Sequence, residues 1–264
     1  MLVPLKGSWA LIFGVSSGLG RATARALAAE SCNVIGVHFD MADGQQAAEE
    51  LAEELRERGV EAHFFNRNVA AAQTRAELVP LIKELSGVGP RIVLHSVAFG
   101  ALVPFVPTES TPKSLTAKQM AMTLDVMAHS LVYWTQDLLA ANLLPKGGKI
   151  YALTSSGSTR VLRSYGAVSA AKAALESHVR QLAVELAPYE IAVNAIRAGT
   201  TITPALLKIP NNAEVAERAR AVNPHGRLTT PEDVAETIVL LSTTDSSWIT
   251  GNVIGVDGGE AIVA

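Results

Sequence analysis

Tyr165 and Lys172 stand seven positions apart in SYGAVSAAK, inside a run of small and apolar residues. A phenol can give a proton or a hydrogen bond to a developing oxyanion, and a neighbouring ammonium can hold hydroxyl groups and replenish that proton. Seven residues of ideal helix advance about 700°, leaving the two side chains about 20° apart on one face and about 10 Å apart along the axis. The position four before the lysine, only about 6 Å away along the axis, holds Val168, which has no proton to give. A displaced hydroxyl favours one kind of reduction. Hydride delivered to a ketone carbon needs a proton on the adjacent oxygen. Hydride delivered to the β-carbon of an α,β-unsaturated thioester throws charge onto an oxygen three bonds away, so the donor should be offset from the carbon attacked.

A second group of residues could hold the hydride source. WALIFGV (9–15) leads into GVSSGLG, which brings Gly14, Ser16, Ser17, Gly18, Leu19 and Gly20 together at a strand–helix junction. Glycines there allow a tight turn and close backbone approach to a pyrophosphate, whose charge the opening N–H groups of the next helix would bind. Further on, His38 and Asp40 follow the second apolar run, and no lysine or arginine lies between Arg25 and Arg56. A carboxylate in that place accepts hydrogen bonds from a ribose diol and repels a 2′-phosphate, which favours NAD over NADP. Arg67 could still turn toward a phosphate, so NADP stays open as the alternative.

These residues need a frame. Apolar runs at 9–15, 33–39, 61–69, 91–98, 147–156, 191–199 and 251–259 alternate with helical patterns at 19–29, 44–59, 72–86, 117–143, 165–187 and 231–242. Such alternation predicts a doubly wound parallel sheet of Rossmann type with helices on both faces. No linker or repeat divides the 264 residues, so a single domain is expected. The stretch 200–226 is the least strand-like and follows a strand's C-terminal end, where it would serve as a substrate lid. Phe99, Ala205, Leu206 and Leu207 would suit an acyl chain or core packing equally.

Composition narrows the partners. A net charge of −3 gives no basis for binding nucleic acid or an anionic membrane. Cys32 is the one cysteine, and the N-terminal MLVPLKGSWALIFG has no charged-then-apolar leader, so a reducing, cytoplasmic setting is expected. His95 and His129 are expected to be structural, and no histidine or cysteine pair has metal-ligand spacing, so no metal is expected.

The glycine spacing G-x3-G-x-G resembles that of the short-chain dehydrogenase/reductases, and the resemblance runs along nearly the whole chain. Asn68 and Val69 match the pair that contacts adenine, and HSVA (95–98, with Ser96, Val97 and Ala98) matches the fourth-strand position. LTSS (153–156) occupies the fifth, VNAIRAGTTIT (193–203, with Gly199, Thr201 and Thr203) matches the segment that meets the nicotinamide end, and GVDGG matches the closing strand. Most members place the tyrosine four before the lysine. The Tyr-x6-Lys form, with HSVAFG and LDVMAHSL, is similar to the enoyl-acyl-carrier-protein reductases of that family, specifically a divergent branch close to ordinary members. Asp125 and Met127 stand where ketone-reducing members keep a structural asparagine.

That resemblance implies Tyr165 on the thioester carbonyl and enolate, with Lys172 on the nicotinamide ribose. The substrate would be an acyl thioester, on acyl carrier protein or coenzyme A, and the assembly a homotetramer paired through helices 117–143 and 165–187. The main enoyl reductase branch carries a second tyrosine where this chain has Ser155. Ser155 also sits 13 residues before Val168, the usual spacing of the family's catalytic serine, so it either assists carbonyl binding or caps a strand. Two rival readings remain: a carbonyl reductase using Tyr165 in altered geometry, and a dinucleotide-binding regulator whose catalysis has lapsed.

Overall fold

A computed structural model of the chain describes residues 2–107, 109 and 111–263. Its centre is a seven-stranded sheet in which every paired neighbour is parallel, in the order β3-β2-β1-β4-β5-β6-β7. The strands are β1 (Trp9–Phe13), β2 (Asn33–His38), β3 (Ala62–Asn66), β4 (Ile92–His95), β5 (Lys149–Ser155), β6 (Ala192–Ala198) and β7 (Val253–Val256). The expected doubly wound architecture is thus present. Each strand is shorter than its apolar run, because the final residues turn off the sheet to build the loops at its C-terminal edge.

Parallel strands covered on both faces bury both sets of side chains, and β1 shows the consequence. Leu11 and Phe13 join one core with Val93, Trp134, Leu175 and Val179, while Ala10 and Ile12 join the other with Leu27, Leu55, Val234 and Ile238. The first core is roofed by α3 (Ala72–Ser86), α5 (Ser130–Ala140) and α6 (Gly166–Glu185), the second by α1 (Gly18–Ala29), α2 (Ala42–Glu57) and α9 (Pro231–Ser242). Among the described residues no helix is long and apolar enough to cross a membrane.

Two elements differ from the pattern in the sequence. The expected helix over 117–143 is three pieces: α4 (Ala117–Leu124), a π turn over Asp125–His129, and α5. Val126, Met127 and Ala128 are all buried in that turn, a run wider than the stripe a regular surface helix hides. The stretch 200–226 contains two short helices, α7 (Pro204–Leu207) and α8 (Asn212–Val222), at the C-terminal edge of β6.

Trp134 ties the first core to the cavity edge. It is fully buried, its ring centroid lies 4.7 Å from that of Phe13, and its Nε1 donates to the Val69 carbonyl at 2.9 Å. Trp134→Ala should destabilise the fold by about 3–5 kcal/mol, read as a lower urea midpoint; an unchanged midpoint would mean the core closes over the gap.

Candidate active site

Strand order reverses between β1 and β4, and open sheets of this kind bind ligands at that switch point. The sequence-predicted residues gather there. A cavity of about 1330 Å³ opens at the strands' C-terminal ends, and its wall includes Gly14, Ser16, Ser17, Gly18 and Leu19 just after β1, with Ser96, Val97 and Ala98 just after β4. Ser155, Tyr165 and Lys172 line another side, and Gly199, Thr201 and Thr203 a third. Phe99, Ala205 and Leu206 also line it, while Leu207 is exposed outside its wall.

Gly14 has φ +83°, and a Cβ there would overlap the Ser96 carbonyl. Gly20 lies outside the cavity wall, where a Cβ would overlap the Gly14 carbonyl oxygen, so it lets α1 pack against the loop. No side chain caps the N-terminus of α1 at Ser17, which leaves first-turn N–H groups free for an anion. Close backbone, an uncapped helix start and a cavity of about 1330 Å³ running past both fit a dinucleotide.

At the end of β2, His38 Nδ1 lies 2.9 Å from Asp40 Oδ2. Asn66 fixes the same turn by accepting from Asp40 N at 3.1 Å and donating to its carbonyl at 3.0 Å. His38, Asp40, Asn68 and Val69 all line the cavity. Arg67 lines it too, but its guanidinium is engaged by Glu77 at 3.3 Å and the Asn66 carbonyl at 3.0 Å. Asn68 Oδ1 accepts from Ala70 N at 3.0 Å, which shapes the turn after β3.

Tyr165 is the N-cap of α6, with φ −99° and ψ 1°, so it stands just outside the helix whose ideal phase the spacing assumed. Ser164 before it is left-handed, at φ +58°, a conformation non-glycine residues seldom adopt and one that accumulates at working sites. The Tyr165 ring rests on Gly157: a Cβ there would sit 2.6 Å from ring carbon Cε1 and 3.2 Å from Ser155 Oγ. Gly157 therefore beds the phenol, a role with no signal in the sequence beyond the SSGS turn itself. Ser155 Oγ accepts from Gly157 N at 3.3 Å, so the serine also caps the short helical turn after β5.

Val168 faces apolar company, packed with Met127 and Ala171. Its methyl lies so near Gly100 that a Cβ there would be 2.7 Å away. The place four before the lysine is thus filled by packing.

Lys172 is only 6% exposed and donates to the Leu153 carbonyl at 2.6 Å. Burial brings its ammonium down from 10.5 to about 8, and the Glu176 carboxylate one turn away pulls it back up. Glu176 in turn accepts from Thr154 Oγ1 at 2.6 Å. Residues 153 and 154 on β5 are therefore cross-tied to 172 and 176 on α6, a pairing the helical spacing of Lys172 and Glu176 could have suggested. Burial raises the Tyr165 phenol, partly offset by the Ser155 hydroxyl nearby, so it remains a neutral donor at physiological pH.

His95 and His129 are engaged by neighbouring side chains. His95 Nε2 lies 2.8 Å from Ser130 Oγ, whose own hydrogen goes to the Val126 carbonyl at 2.8 Å, so the imidazole donates. Burial, with the charge of Lys172, brings His95 down to about 3, and it stays neutral. His129 Nδ1 meets His178 Nε2 at 3.0 Å. Among the described residues no cluster of three metal-capable side chains forms.

Comparison with known proteins meets this geometry. Residues 14–260 match a protein-family model described as enoyl-(acyl carrier protein) reductase, within the short-chain dehydrogenase/reductases. The chain belongs to that family. It is an NAD(P)-dependent oxidoreductase. Its relatives span several reactions. Cyclohexanol dehydrogenase of a Rhodococcus species is 32% identical over 97% of both chains. The 1-cyclohexenylcarbonyl-CoA reductase of Streptomyces collinus is 31% identical over 96% of this chain and 87% of that one. Enoyl-[acyl-carrier-protein] reductase [NADH] of Aquifex aeolicus is 33% identical over 65% of this chain and 62% of its own. Its crystal structure superposes with a TM-score of 0.85 at 28% identity, covering 98% of each chain.

Lys172 sets a pH test. Its ammonium form offers three charged N–H donors where the neutral amine keeps two weaker ones, and the ammonium is present below about pH 8 and lost above it. NAD(P)H affinity should therefore fall as pH rises through about 8. Glu176→Gln removes the charge that holds Lys172 up, so the fall should move to lower pH. Titrations by cofactor fluorescence check this, and a limb that stays in place would remove Glu176 from the account.

Proposed function

We propose that this chain reduces the carbon–carbon double bond of a 2-enoyl thioester, with the cofactor supplying hydride when bound. One observation carries the reading: among the described residues the one phenol in the cavity wall is Tyr165 at the start of the helix that carries Lys172, while the position four before the lysine is buried valine. Tyr165, bedded on Gly157 and next to Ser155, hydrogen-bonds the thioester carbonyl and steadies the enolate as charge arrives there. Lys172 spends one N–H on the Leu153 carbonyl and offers its remaining two to the ribose hydroxyls of the cofactor. Ser155 orients the same carbonyl. The segment 200–226 acts as the lid that excludes water from the acyl chain, and the enzyme assembles as a homotetramer, which light scattering can test.

NAD is the preferred cofactor on this reading. Asp40 lines the cavity with its Oδ2 2.9 Å from His38 Nδ1, and Arg67 is held by Glu77 and the Asn66 carbonyl. Asp40→Asn should improve kcat/KM for NADPH relative to NADH. A wild-type enzyme already faster with NADPH would overturn the assignment.

The second reading, carbonyl reduction, is favoured by Ser155 and Tyr165 standing together around Gly157, which would suit a ketone oxygen, and by the alcohol dehydrogenase among the relatives. Stopped-flow hydride transfer to crotonyl and acetoacetyl thioesters separates the two. Tyr165→Phe should lose roughly 10²–10³ in the rate with the crotonyl substrate, and Val168→Ala should change it little. Preference for the keto substrate, or full enoyl activity in Tyr165→Phe, would overturn the proposal. Cofactor binding without turnover of either substrate would point to a lapsed regulator.

A further inference from the structure

The rim of the cavity is built from three separate pieces of chain, and all three are fastened to one short segment near the C-terminus. The first piece is the loop leaving β6. Thr200 donates its N–H to Glu260 Oε2 at 2.9 Å and its hydroxyl to Glu260 Oε1 at 2.9 Å. The second is the end of α8, where Asn223 Nδ2 donates to the Asp257 carbonyl at 2.9 Å. The third is the turn after β5, where Arg160 donates to the Ala261 carbonyl at 3.2 Å. Glu260 and Asn223 are each 6% exposed, so two of these ties are made away from competing water.

The segment is shaped for this. Gly258 and Gly259 have φ +59° and +86°, and Asp257 Oδ1 accepts from Gly259 N at 3.0 Å while Glu260 N donates to the Asp257 carbonyl at 3.0 Å. The left-handed pair reverses the chain and delivers the Glu260 carboxylate inward, where it lines the cavity. From Thr200 the constraint reaches the phosphate loop. Thr201 Oγ1 donates to the Gly199 carbonyl at 2.9 Å, and Thr203 both caps α7 and abuts Gly18, where a Cβ would meet its methyl at 3.3 Å.

We propose that Glu260 is a positioning residue: through Thr200 it holds the 199–203 loop and the first hinge of 200–226, making the C-terminal turn 257–261 the common anchor of the cavity rim. It touches no reacting atom. Its effect should therefore fall on how cofactor is held and on how firmly 200–226 stays closed, more than on the chemical step.

Trypsin and steady-state kinetics test this on the full chain. Lys208, Arg218 and Arg220 are exposed in the 200–226 segment. In Glu260→Ala, cleavage at these three sites should accelerate about tenfold, as expected from losing a buried acceptor pair, with cleavage elsewhere unchanged. KM for NADH should rise about tenfold while kcat with crotonyl thioester falls less. Glu260→Gln should restore both to within about threefold, because an amide accepts from the Thr200 N–H while the threonine hydroxyl turns to accept from it. If Glu260→Ala does not fold, Thr200→Val, which removes one of the two bonds, should show the same pattern more weakly. Wild-type proteolysis and KM in Glu260→Ala overturn the proposal, as does faster cleavage spread evenly over the chain. The kinetic half rests on the dinucleotide reading of the cavity. A wild-type protein that binds no NADH or NADPH would overturn that reading, and the proteolysis would still decide the anchor.

Discussion

The buried ammonium of Lys172 is the interaction on which the rest of the site depends. A charge held almost wholly away from water is costly unless oxygen atoms surround it, and here the Leu153 carbonyl at the C-terminal end of β5 meets it at 2.6 Å. That bond sets the rotation and height of α6 over the sheet. Once they are set, Val168 must face Met127 and Gly100, and the first residue of the helix must overhang the end of β5. The phenol therefore arrives above Gly157 and Ser155 by consequence of where the lysine is anchored. Thr154 and Glu176, hydrogen-bonded one turn further along, tie the same strand and helix a second time and bring a negative charge near the lysine.

Much of this frame is written locally. The apolar run of β1 is continuous because alternate residues feed two cores, and Gly14 and Gly20 after it stand where carbonyl oxygens leave no room for a side chain. Tyr165 and Lys172 announce themselves by type and spacing. The ideal-helix argument that joined them was only approximate, since Tyr165 caps α6 from outside and Ser164 before it takes a left-handed turn that no helical periodicity contains. The π turn at Asp125–His129 was invisible for a related reason. Its residues look helical, and only the packing of three consecutive buried side chains against α6 selects the wider turn.

What the sequence conceals is long-range. Glu260 lies 60 residues from Thr200, in a segment that reads as the end of a strand, and an acidic residue there looks like any solvated carboxylate. Nothing in its neighbours signals burial; the left-handed glycines do so only once their conformation is known. Gly157 is similar. Its lack of a side chain has meaning only because the ring of Tyr165, eight residues later, comes back to lie on it.

These features share a logic that bears on reaction type. Moving a phenol by most of a helical turn while keeping the lysine in place requires three accommodations: an apolar filler at the vacated position, a bed for the ring, and a turn that presents it. Val168, Gly157 and Ser164 supply them in turn. A chain that had simply lost its donor would need only the first, since an unused tyrosine has no call on a strained residue before it or a missing Cβ beneath it. Strain of this kind persists where surrounding structure over-determines it, and here the surroundings converge on holding a neutral phenol beside a cation at the end of β5. On the proposed reading, that is the arrangement of a site in which the hydroxyl has an oxygen to meet.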